Sequence, residues 1–127
     1  MSGIIVFRPK QANFDCEEKP GCKIDQYIEF KVGWHSAKTC VAEQEDRCVE
    51  WNQEIKLKKT SGQHFAQIKI KEKEKYLFDG VIGKAKINMD LVVNKGKVLG
   101  WYHVYRKKKQ IGELLIEVEY QPVEVRN

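Results

Sequence analysis

The densest charge in this chain is the run Arg106-Lys107-Lys108-Lys109, four cations in succession. Such a run can grip phosphate oxygens, each cation adding about 1 kcal/mol near an anionic membrane surface. The competing reading is a solvated hairpin tip whose charges keep a strand edge from aggregating. A second run, Lys69-Ile70-Lys71-Glu72-Lys73-Glu74-Lys75, alternates in sign, and its acids largely cancel its cations. Cys16, Cys22, Cys40 and Cys48 have five and seven residues between the members of each pair, unlike a zinc knuckle. They read as reduced structural thiols, although an even count would allow two disulfides in an oxidising compartment. No Ser/His/Asp or Cys/His order suggests a nucleophile, and there is no glycine-rich phosphate loop, so no enzyme is expected. The aromatic residues are not interleaved with the lysines as on a stacking platform, so no nucleic acid is expected as partner.

The elements that must position these residues are strands. Ile28, Phe30 and Val32 alternate with wet neighbours, as do Ile55 and Leu57, then Ala66, Ile68 and Ile70. The same period of two returns in Val81, Gly83, Ala85 and Ile87, and in Leu114, Ile116, Val118 and Tyr120. One apolar and one wet face describe an antiparallel sheet with one buried side. Adding Ile4–Phe7, Lys38–Ala42 and Trp101–Arg106 gives eight expected strands in an all-β, antiparallel Greek-key sandwich. Gly33 precedes an expected turn at Trp34 and His35, where Trp34 either folds back over the sheet edge, the favoured reading, or stands exposed as an interfacial anchor. Asn88–Asn94 suits a short helical turn, and Lys107–Gln110 the tip of the last hairpin.

The chain of 127 residues is expected to be a single domain, with a core over residues 3–121 and a tail over 122–127. A net charge of +5 favours acidic partners. No apolar stretch approaches the ~18 residues a membrane span needs, and no basic-then-apolar leader opens the chain. A cytoplasmic monomer with at most peripheral membrane contact is therefore expected.

Asp79-Gly80-Val81-Ile82-Gly83-Lys84-Ala85-Lys86 is preceded by Asp25-Gln26-Tyr27 and Trp51-Asn52-Gln53-Glu54, and followed by Trp101-Tyr102 and Gly112-Glu113-Leu114. In that order they resemble the C2 family, a calcium- and lipid-binding β-sandwich, over nearly the whole chain and in its type II permutation. The resemblance implies that Trp51 and Trp101 pack in the core. It also implies metal ligands in the first and third loops at one tip of the sandwich. Calcium takes six to eight oxygens, mostly carboxylate. At the corresponding positions Asp25 remains, Lys19 replaces an aspartate, Glu72 and Glu74 replace an Asp-x-Asp pair, and Gly80 stands where the last aspartate would be, with Asp79 one step off. An ammonium about 4 Å from a divalent ion costs several kcal/mol at an effective dielectric near 20. No calcium or other cofactor is therefore expected.

The family's second lipid site is a basic patch on a sheet face. Here Lys31 and Lys38 hold two of its four positions, and Glu29 and Ser36 the others. Tyr76-Leu77-Phe78 falls at the tip of the third loop, where the family inserts apolar side chains into lipid. The first expectation is thus a non-catalytic module that docks on anionic membrane without calcium, through Tyr76–Phe78 and Arg106–Lys109. The alternative is a protein-interaction domain that never touches lipid. A weak calcium sensor built on Asp25, Glu72, Glu74 and Asp79 ranks third.

Overall fold

The computed structural model describes residues 2–14, 26–40, 48–51, 53–73 and 80–123. Its elements are β1 Gly3–Phe14, β2 Gln26–Val32, β3 His35–Lys38, β4 Cys48–Glu50, β5 Ile55–Lys59, β6 Phe65–Glu72, β7 Gly80–Asn88, α1 Met89–Lys95, β8 Lys97–Arg106 and β9 Lys109–Pro122. Among the described residues no helix is long and apolar enough to cross a membrane.

The strands form one continuous nine-stranded sheet in the order β3-β2-β6-β7-β8-β9-β1-β4, with β5 also pairing with β1. It folds over at the β7–β8 step into two layers, β3-β2-β6-β7 as the first sheet and β8-β9-β1 with β4 and β5 as the second. All pairings are antiparallel, and between the sheets only Lys84 of β7 pairs with Tyr105 of β8. The expected sandwich is therefore present. β4 is an additional three-residue strand. The expected Lys38–Ala42 strand lies earlier, at His35–Lys38. The tight Gly33–Trp34 turn sets Val32 opposite His35, which pulls the strand toward the turn.

The two inner faces form one core. Ile28, Phe30 and Val32, then Ala66, Ile68 and Ile70, meet Ile5, Phe7, Leu114, Ile116 and Val118, all buried. The rings of Phe7 and Phe30 stack across it with centroids 4.6 Å apart. Two bulges adjust the alternation. Pro9, which has no N–H for the ladder, sits where the register jumps to Gln11, leaving Lys10 unopposed by β9. The Lys10 carbonyl accepts a hydrogen bond from the Trp51 N–H instead. In β7, Gly83 faces Ile70 and Val81 faces Lys71, so Ile82 is the extra residue. Beyond it the pattern inverts: Val81, expected inward, is 42% exposed, and Ile82 packs against the core.

The expected helical turn is α1. The Asn88 side chain caps it by accepting from the Asp90 N–H, and Gly96 ends it at φ 84°, where its N–H reaches the Val92 carbonyl. On the outer face of the second sheet Arg8 binds Glu54, Glu117 and Glu119 at 2.8 to 2.9 Å. These partners raise the guanidinium pKa further. Hydrogen bonds from Arg8, then from Lys56, hold the Glu54 carboxyl below its usual range.

Candidate functional site

The antiparallel order brings several connections to one end of the sandwich. Phe14 faces Gly112, Gln26 faces Glu72, and Glu72 faces Gly80. The β1–β2 and β6–β7 connections therefore leave from the end at which β8 turns into β9. There Arg106 pairs with Lys109 across a turn formed by Lys107 and Lys108, and all four side chains are exposed. Lys107 and Lys108 adopt φ 49° and 69°. This left-handed region suits Asn and Gly at a two-residue hairpin tip and is costly for lysine.

The outer face of the first sheet carries a different surface. One row crosses five strands: Lys38 faces Glu29, Glu29 faces Lys69, Lys69 faces Lys84, and Lys84 faces Tyr105. Glu29 is drawn to Lys71, at 3.1 Å. Lys38 lies 5.5 Å from the centroid of the buried Tyr27 ring. Lys31 is exposed opposite Ser36. Past the Lys84–Tyr105 pair the two sheets diverge and leave a groove of about 630 Å³. Its walls include Lys69, Lys84 and Lys86 on one side and Trp101, His103 and Tyr105 on the other. Tyr102 also lines it, and burial pushes the Tyr102 phenol above its usual range. Among the described residues no group of three His, Cys, Asp or Glu side chains is arranged to hold a metal ion.

The model of the C2 domain family matches residues 6–104. The chain belongs to that family, whose members serve as lipid- or protein-binding modules. Solved structures agree on the fold. A "C2 domain-containing protein" is 20% identical with a TM-score of 0.82, covering 97% of this chain and 91% of that one. A single C2 domain of plant Extended Synaptotagmin 1 is 19% identical with a TM-score of 0.81, covering 97% of both chains. The calcium-bound pair of C2 domains of Extended Synaptotagmin 2 is 19% identical with a TM-score of 0.73, covering 93% of this chain and 45% of that one. Among curated proteins, none matches this chain.

Of the positions expected from the resemblance to correspond to metal ligands, Lys19, Asp25, Glu74 and Asp79 lie outside the described residues, as do Tyr76, Leu77 and Phe78. Glu72 closes β6 opposite Gly80. A side chain at position 80 would point into open space. Lys31 and Lys38 share the outer face of the first sheet, away from the Arg106–Lys109 tip, so the expected cations form two surfaces. Cys16 and Cys22 also lie outside the described residues. Cys40 is an exposed free thiol whose Sγ accepts from the Gln53 amide at 3.1 Å.

Two tryptophans differ from expectation. Trp51 is buried at 6% exposure, but Trp101 is 45% exposed. On β8 the buried Val104 fixes the inward parity, which turns Leu99, Trp101, His103 and Tyr105 outward. Trp34 is 96% exposed rather than folded back. It projects from the turn into β3, the edge strand of the pairing order. Sequence reasoning missed the groove as a whole. Its signal was present in the lysines at 69, 84 and 86 and in the alternation Trp101, His103, Tyr105 on a single strand face.

Proposed function

We propose that this C2 domain docks peripherally on anionic membrane without calcium, with Arg106–Lys109 as its cationic foot and Tyr76–Phe78 as an apolar insert. The observation that carries this reading is the hairpin tip. Two lysines occupy left-handed backbone that Asn-Gly would fill at less cost, and they present adjacent charges at the end from which the 73–79 connection leaves. The sequence supports calcium independence through Lys19, which stands where the family places an aspartate.

The test is flotation of the purified chain with phosphatidylserine-rich vesicles in chelator. The domain is expected to float, to float less as salt rises past about 0.15 M, and to stay in the pellet once Arg106, Lys107, Lys108 and Lys109 are all changed to glutamine. Flotation only with added calcium would overturn the calcium-independent reading. No flotation under any condition would overturn membrane docking.

A further inference from the structure

We infer that the groove between β7 and β8 receives an extended acidic peptide segment of a partner protein, added as a strand, with its carboxylates on Lys69, Lys84 and Lys86. Three features of the groove converge on this occupant: open backbone edges, lysines at 69 and 84 that make no ion pair among the described residues although Glu29 stands beside Lys69, and a largely aromatic stripe of strand length.

β7 and β8 share only the Lys84–Tyr105 pair. Beyond it the facing edges of Ala85–Asn88 and Lys97–Val104 make no strand-to-strand pairing among the described residues. Exposed N–H and C=O rows are a template for another strand. β8 is ten residues long and carries no proline; the irregularity of its ladder with β9 falls between Val104 and Tyr105, at one end of the groove. A lipid headgroup has no alternating donors and acceptors to satisfy such an edge.

Lys69 and Lys84 face one another directly. Like charges across a ladder repel, and among the described residues neither makes an ion pair. No carboxylate lines the groove among the described residues. Lys84 and Lys86 are two residues apart on one face, so their spacing of about 7 Å matches carboxylates at alternate positions of a neighbouring strand. A second copy of this chain would bring a net charge of +5 against the same lysines, so a partner of opposite sign fits better.

Leu99, Trp101, His103 and Tyr105 all face outward on β8. They form a stripe of about 20 Å, longer than a single headgroup. Leu99 is 60% exposed, Trp101 45% and Tyr105 47%. Exposed aromatics beside cations are the usual anchors of an interface.

The experiment probes the full chain against immobilised decapeptides with glutamate at alternate positions and the intervening positions varied. A subset of these peptides is expected to retain the protein. The affinity of the best member, read by fluorescence anisotropy, is expected to fall about tenfold or more in the double variant Lys69→Glu and Lys84→Glu, and similarly in Trp101→Ala. All three side chains lie on the outer surface, and each variant is accepted only if its melting temperature and amide spectrum match the parent. N-methylation of alternate amides on the peptide edge that faces β8 should abolish binding, and on the edge that faces the shorter open stretch Ala85–Asn88 should weaken it less. That asymmetry needs no protein variant. Failure to retain any peptide would overturn the inference. So would binding indifferent to both methylation patterns, which would mean charge adhesion alone. It would also be overturned if the Lys69 and Lys84 changes reduced flotation with phosphatidylserine vesicles while leaving peptide binding unchanged, or if Trp101→Ala dissolved a self-associated dimer.

Discussion

Gly83 decides how closely the two sheets can meet. A Cβ there would sit 2.6 Å from Val104 Cγ1 and 2.9 Å from Ile111 Cδ1, which is too close for either neighbour to ignore. Gly83→Val should cost about 1–3 kcal/mol, read as a lower urea midpoint. Arg8 offers a pH test. Its hydrogen bond holds the Glu54 carboxyl below the usual range. Stability from that depression is present above the unfolded carboxylate value of about 4.3 and is lost as pH falls through the lower folded value. Arg8→Met should therefore flatten the fall of melting temperature on acidification below about pH 4.3. At this scale the sequence was informative where period two was unbroken, as at Ile28, Phe30 and Val32. It misled at Val81, because the bulge at Ile82 inverts the faces and nothing in the residue types announces it. It misled again at Trp101, which the family resemblance placed in the core while its parity on β8 set it outside.

Among the elements, the β8–β9 hairpin sets stability against charge. Lys107→Asn with Lys108→Gly relieves two left-handed lysines and should raise stability by about 1 kcal/mol or more. The same change removes two cations, so thermal melts should shift upward while vesicle flotation falls. If both rose together, the tip would not be the membrane contact. At α1, Asn88→Ala removes the side-chain acceptor of the Asp90 N–H and should cost about 1 kcal/mol, seen in the same denaturation assay. The helix was expected over Asn88–Asn94, and the structure adds its caps, Asn88 and Gly96, which the sequence reading did not use. β4 was not readable, because a three-residue strand is held by its pairing with Gln11–Asn13 rather than by any propensity of its own.

On the scale of the whole molecule, the sandwich followed from alternation and turn residues, but neither surface could be assembled from the sequence alone. The groove depends on β7 and β8 diverging after one pair, and that is a property of the fold. The same fold makes β9 indispensable, since it pairs with β1 on one side and β8 on the other. Ile116→Pro places a residue without an N–H in that interior strand and should abolish the β-sheet circular dichroism signal. Arg8 and Glu117, which meet at 2.9 Å, are 109 residues apart in the chain. β1, the first of these strands to be synthesised, thus finds its principal neighbour only when nearly the whole domain is available. Loop-closure entropy must be overcome before that pairing contributes. Refolding should accordingly take milliseconds to seconds rather than microseconds, and during synthesis β1 must remain unpaired with β9 until that strand has left the ribosome.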